Sequence, residues 1–156
     1  MRIISFNKEN RNEYMNFIEQ CNNSWEFRCL ENNYFNVGDK EIFLVIEKAL
    51  CRKHNIVAYS IVEKDLRYLY KVNFISETHK NDGNNIYIYD FMVRKESRNT
   101  GIGGKLAQYL INEIFIDKNI ILQPDGDGHW FWKKFEFQQD NISKKETWVL
   151  KRKSYS

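Results

Sequence analysis

Hydrophobic and polar positions follow two rhythms along the chain. The segments RIISF, EIFLVIEKAL, NIVAYSIVEK, NIYIYDFMV, NIILQP and ETWVLKRK are short, β-branched or aromatic, and bounded by polar residues, the pattern of strands. Tyr14, Phe17, Ile18 and Cys21 instead recur at helical spacing, as do Ile102, Leu106, Tyr109, Leu110 and Ile114, so each set lines one face of a helix. A shorter aromatic helix is predicted over HWFWKKFEF, an irregular helical stretch over residues 25 to 37, and a further short strand within LRYLYKVNFIS. EIFLVIEKAL and NIVAYSIVEK, separated by CRKH, read as an antiparallel hairpin.

The predicted order is strand, helix, irregular helix, then two hairpin strands, a short strand and NIYIYDFMV, followed by a loop, helix, strand, helix and strand. Hairpins dominate the first half, and strand, helix, strand occurs once, after residue 85. The fold class expected is mixed α/β: a mostly antiparallel twisted sheet with one central parallel crossover and flanking helices. No repeat or Pro/Gly/Ser-rich linker interrupts the pattern, so one domain is expected over residues 1 to 156.

Composition narrows the function. Apolar residues make up 42% of 156 positions, but no apolar run approaches the ~20 residues that span a bilayer. MRIISFNKEN turns polar within six residues, so no secretory signal is read and a cytoplasmic, membrane-free protein is expected. Cys21, Cys29 and Cys51 form no C-x-x-C pair, and Cys51 and His54 lack a second ligand pair, so no metal is expected. A net charge of +3 is too small to imply nucleic acid, although KKETWVLKRK gathers five basic residues against one acid. That run is first of all a solvated basic strand face.

The chemistry concentrates in RNTGIGG, residues 98 to 104. A mononucleotide P-loop needs a glycine where Asn99 stands and a hydroxyl where Leu106 stands. A dinucleotide turn starting at Gly101 needs its third glycine at Leu106. What remains is R-x-x-G-x-G between a strand and a helix: Arg98, Gly101 and Gly103, followed by Gly104 and Lys105. Glycines let backbone N–H groups approach a ligand closely. The helix start adds unpaired donors and partial positive charge, and the sum suits a pyrophosphate.

The segment IYDFMVRKESRNTGIGGKLAQYLINEIF, followed by NIILQP and WFWKKFEF, resembles the GNAT superfamily of acyl-CoA-dependent N-acyltransferases. The resemblance covers about half the chain and implies an acetyl-CoA co-substrate. By position it implies that the backbone at Met92 and Val93 pairs with the pantetheine arm. It likewise implies that Arg98, Asn99, Thr100, Gly101, Ile102, Gly103, Gly104 and Lys105 hold the pyrophosphate. Splayed strands would leave N–H groups to stabilise an oxyanion, and the incoming amine, with an ordinary pKa of about 10.4, would need a base.

Lys95 and Asn99 stand where the family often has proline and glycine, and Glu136 stands where a glycine usually ends the last helix. Trp132 takes the place of the tyrosine that often protonates the departing thiolate, and an indole has no acid proton of useful pKa. Asp90 on the strand and His129 at the start of the last helix are the catalytic candidates. Tyr87 and Tyr89 read mainly as sheet packing, and Trp130, Phe131, Trp132 and Phe135 as core. Asp125 and Asp127 in DGDG lack the later ligands of a calcium loop and read as a turn that aims carboxylates at a cationic amine.

The function implied is direct acetyl transfer from acetyl-CoA to a primary amine. The acceptor class is open; the basic C-terminal strand slightly favours an anionic acceptor such as aminoacyl-tRNA, and a homodimer is the other partner considered. The alternative is a non-catalytic acyl-CoA-binding or regulatory module, favoured by Trp132.

Overall fold

The computed structural model describes residues 1–20, 39–48, 54–71, 84–126, 128–140 and 146–152. The irregular helix expected over residues 25 to 37 and the segment 72–76 lie outside these residues. Seven strands form one sheet: β1 (Arg2–Ser5), β2 (Lys40–Lys48), β3 (His54–Glu63), β4 (Asn85–Val93), β5 (Asn119–Leu122), β6 (Gln138–Asp140) and β7 (Thr147–Leu150). Their order is β1-β2-β3-β4-β5-β7-β6. Every neighbouring pair is antiparallel except β4 and β5, which run parallel. The mixed α/β sheet with a single central crossover is thus the observed fold.

Helices cover both faces. α3 (Ile102–Tyr109) bridges β4 and β5 and shares one face with α4 (Gly128–Lys133). There Ile102, Leu106 and Leu110 meet Phe43, Val45, Ile88 and Trp132 in one buried cluster. On the other face α1 (Arg11–Gln20) packs Tyr14 and Phe17 on Ile42, Leu44 and Tyr59. α2 (Leu66–Lys71) packs Leu66 and Leu69 on Tyr87 and Ile121 there too. Burial on both faces explains why the centre of β2 reads as the unbroken run IFLVI rather than as an alternation. Among the described residues, no helix is long and apolar enough to cross a membrane.

Three elements depart from the sequence pattern. LRYLYK forms helix α2 and not a strand, because the Asp65 carboxylate accepts from the Arg67 N–H at 3.2 Å, as an N-cap does. Leu66 and Leu69 then fall on one buried face. After Tyr109 the helix widens into a π turn over Leu110–Ile114, closed by Phe115 N–H on the Leu110 carbonyl at 2.9 Å. That extra residue rotates Ile114 outward, to 38% exposure, and buries Phe115 in its place. β6, three polar residues on the sheet edge, carries no hydrophobic alternation to announce it.

Glu136, at the glycine position noted above, adopts φ 65°. A side chain in this left-handed region costs about 1–2 kcal/mol, so Glu136→Gly is expected to stabilise the protein by roughly 0.5–1 kcal/mol after the flexibility it adds to the unfolded chain. Urea unfolding measures this directly; unchanged or reduced stability would show that the strain is absorbed elsewhere.

Candidate functional site

The site follows from strand lengths. The ladder between β4 and β5 runs only from Asn85 opposite Asn119 to Ile88 opposite Leu122, while β4 continues to Val93. Just past that point, pairing of β4 with β3 jumps from Val62 opposite Ile88 to Ile61 opposite Asp90, leaving Tyr89 as the extra residue of a bulge. A bulge bends and twists its strand. Where β4 passes the end of β5 lies a cleft of about 730 Å³, lined on this side by Phe91, Met92 and Val93. Its volume is in the ordinary range for a small-molecule site, about 300–1,000 Å³.

The floor of the cleft is the glycine loop. A 3₁₀ turn at Lys95–Ser97 leads into Asn99 at φ 61° and Gly101 at φ 85°. Asparagine is among the few side chains that tolerate this region, so Asn99 supplies the turn that a glycine would. α3 then begins at Ile102, and its first bond runs from Lys105 N–H to the Gly101 carbonyl at 3.0 Å. The N–H groups of this first turn are the orphan donors of a helix start. A Cβ built on Gly101 or Gly104 meets no heavy atom within 4 Å, and both glycines line the cleft. Gly103 differs: a Cβ there would lie 3.1 Å from Val93 Cγ2 and 3.3 Å from Phe131 Cε2. Its hydrogen is what lets α3, β4 and α4 converge.

The start of the loop is anchored from the other face of the sheet. Arg94 donates through Nε and Nη2 to the Ile56 carbonyl at 3.2 and 3.0 Å, and its guanidinium carbon sits 4.9 Å from the Phe17 ring centre. Glu13 of α1 accepts the Ile56 N–H at 3.2 Å. Helix α1, a bulge in β3 at Val57 and the beginning of the glycine loop are therefore tied through one residue's backbone.

Of the ten positions expected to contact a coenzyme, Met92, Val93, Arg98, Asn99, Gly101, Gly103 and Gly104 line the cleft. Thr100, Ile102 and Lys105 are not among its lining residues. The Thr100 hydroxyl donates to the Ser97 carbonyl, Ile102 is buried in the core, and Lys105 is exposed on the helix. Arg98 lies back along β4, with Nε donating to the Val93 carbonyl at 3.0 Å and Nη2 3.7 Å from the Met92 sulfur.

The opposite wall is formed by Asp125, Gly126, Gly128, Phe131, Trp132 and Lys134; Asp125 and Trp132 stood out in the sequence, whereas Phe131 read as core and Lys134 carried no signal. Trp132 is buried, its ring 4.9 Å from Phe91, 4.8 Å from Phe131 and 5.6 Å from Phe137. Of the aromatic cluster only Trp132 is fully in the core; Phe131 and Phe135 are half-buried against it, with Phe131 facing the cleft, and Trp130 is 78% exposed. Asp127 lies outside the described residues.

Asp90 sits at the bulge next to cleft-lining Phe91 and is not itself among the lining residues. Its Oδ2 accepts from the buried Tyr59 hydroxyl at 2.6 Å and its Oδ1 from the Phe91 N–H at 2.8 Å, which fixes the carboxylate on the α1 face of the sheet. Tyr87 is buried, its hydroxyl donating to Gln123 at 3.3 Å. His129 is also not among the lining residues. Its Nδ1 lies 2.9 Å from the Gly126 carbonyl and its Nε2 2.9 Å from the Glu146 carboxylate. Both partners are acceptors, so both contacts are hydrogen bonds together when the ring is protonated. Accordingly Glu146, and then the Gly126 carbonyl, raise the His129 pKa, while the bond to His129 lowers that of Glu146. The pair clamps the turn before α4 onto the start of β7. Among the described residues, no group of three metal-ligating side chains occurs.

A family model described as Acetyltransferase (GNAT) family matches residues 9–137. Among solved structures, the chain is similar to a GNAT-family acetyltransferase from Staphylococcus aureus, with TM-score 0.61 and 19% identity, covering 95% of this chain and 96% of that one. It is similar to a GNAT-family acetyltransferase from Brucella melitensis in complex with acetyl-CoA, with TM-score 0.64 and 11% identity over 96% and 86% of the two chains. The ribosomal-protein-S18-alanine N-acetyltransferase from Escherichia coli is a third, with TM-score 0.60 and 10% identity over 95% and 90%. No match was found among curated proteins.

Proposed function

We propose, from the premise that the chain belongs to the GNAT acetyltransferase family, that it transfers an acetyl group from acetyl-CoA to a primary amine by direct attack at this cleft. The observation that carries the proposal is the glycine loop opening a helix at the point where β4 outruns β5. The residues fit the co-substrate: two glycines leave the floor open, and the helix start offers donors to a diphosphate. Gly101, Gly103, Gly104 and Asn99 would hold that diphosphate, and the backbone at Met92 and Val93 would align the pantetheine arm. The thioester supplies an already activated acyl group, so the protein has to position, desolvate and move one proton.

Asp90 is assigned the proton. Its fixed carboxylate stands on the α1 face beside the bulge, where an ammonium entering from that side is attracted, deprotonated and released as a neutral nucleophile. His129 is assigned the clamp on the α4 turn. Trp132 donates no proton, but a thiol with an ordinary pKa of about 8.5 leaves as thiolate without strong need of an acid near neutral pH.

A second reading is favoured by Trp132 itself, buried among aromatic rings where the family often has tyrosine: a module that binds acyl-CoA without turning it over. The two readings part in a thiol-release screen across small amines, peptide N-termini, lysine side chains and charged tRNA. Steady release of free coenzyme thiol with one class identifies the enzyme and its acceptor. Binding of acetyl-CoA with no release across the panel favours the module.

A further inference from the structure

Two cations line the cleft, Arg98 on the loop and Lys134 on the opposite wall, and neither meets a carboxylate among the described residues. Lys134 stands in the turn after α4 with Nζ 4.9 Å from the Phe131 ring centre and 5.6 Å from that of Phe135. Several other basic side chains are paired: Lys40 with Glu63 at 3.0 Å, Lys64 with Asp39 at 3.5 Å and Arg67 with Asp65 at 3.1 Å. Resting an ammonium on two aromatic faces holds it at the wall without neutralising it. Such an uncompensated charge beside a cleft is placed to meet an anion.

The chemistry of coenzyme A says which anion. It carries a diphosphate and, on the ribose 3′ carbon, a separate phosphate with a charge of about −1.5 to −2 at neutral pH. The glycine loop and helix start answer the diphosphate with backbone donors, and Arg98 belongs to that same loop. The ribose phosphate branches away from the diphosphate and needs a second cation besides Arg98. On the opposite wall that cation is Lys134; the same wall carries Asp125, so an anion gains from it only beside the lysine. Building on the reading that the cleft takes acetyl-CoA, we propose that Lys134 binds the ribose 3′-phosphate and makes the protein select coenzyme A over its 3′-dephospho form.

Isothermal titration of coenzyme A and 3′-dephospho-coenzyme A into the wild type, Lys134→Gln, Lys134→Met and Lys134→Arg tests this. The wild type is expected to bind coenzyme A about tenfold more tightly than the dephospho form, as befits one charge-assisted contact. Lys134→Gln should bring that ratio to about one by weakening coenzyme A alone, and Lys134→Arg should keep most of it. Lys134→Met leaves an apolar stem on the two rings and should behave like Lys134→Gln, which guards against a folding defect in either. An equal loss for both ligands would put Lys134 on the diphosphate, and an unchanged ratio would put the 3′-phosphate elsewhere; either overturns the proposal. A wild type that binds neither ligand overturns instead the coenzyme reading beneath it.

Discussion

Replacing Gly103 with valine is expected to weaken acetyl-CoA binding at least tenfold, a loss of about 1.4 kcal/mol, and to lower stability by about 1–3 kcal/mol. The reason is steric. A Cβ at this position already lies 3.1 Å from Val93 Cγ2 and 3.3 Å from the Phe131 ring, and the two γ carbons of valine need room that close-packed neighbours do not offer. β4, α3 and α4 meet at this residue, so relief comes by moving the helix start away from the strand, or Phe131 into the cleft. Either displaces the donors from the position a diphosphate would take. Gly104→Ala is the matched control: its Cβ meets no atom within 4 Å, so stability should change by far less. Calorimetric binding and urea unfolding of both variants measure the difference, and a Gly103→Val protein that binds like wild type would remove Gly103 from the account.

Asp90→Asn is expected to lower kcat for acetyl transfer by about 10²–10⁴-fold, the usual contribution of a positioned base, with acetyl-CoA affinity nearly unchanged. Asparagine is similar in shape: its Oδ1 can keep the bond from the Phe91 N–H while its Nδ2 donates to the Tyr59 hydroxyl oxygen, which lies 2.6 Å from the carboxylate in the wild type, so the fold is not the variable. The deficit should shrink as pH rises toward the amine's own pKa of about 10.4, because solvent then supplies the neutral nucleophile. Tyr59→Phe should lose less, since it frees the carboxylate without removing it. An Asp90→Asn enzyme with wild-type kcat across the pH range would move the base elsewhere.

The glycine-loop side of this site was legible in sequence because its requirements are local. R-x-x-G-x-G between an apolar strand and an amphipathic helix fixes a turn, a helix start and a close approach within a dozen residues, and seven of the ten positions read that way line the cleft. The opposite wall was legible only at Asp125 and Trp132, because Phe131 and Lys134 reach the cleft through the packing of α4 on β4, which no local pattern records. LRYLYK misled for a related reason: its leucines and tyrosines suit either rhythm, and the Asp65 side chain decides for the helix. Glu136 shows the reverse case. Its identity suggested a rebuilt helix end, yet the backbone keeps the left-handed turn and a charged side chain carries the strain. His129 was readable as a titrating group, but its two acceptors, one of them seventeen residues away, could not be read from spacing.

We take the cleft at the end of the β4–β5 ladder to be an acetyl-CoA site. Thermal unfolding of the wild type and of Gly103→Val with and without saturating acetyl-CoA tests it most directly, since a ligand bound at a hundred times its Kd stabilises the folded state by about 2.7 kcal/mol. A rise in Tm of several degrees is expected for the wild type and a much smaller one for the variant. No shift in the wild type at saturating acetyl-CoA would contradict it.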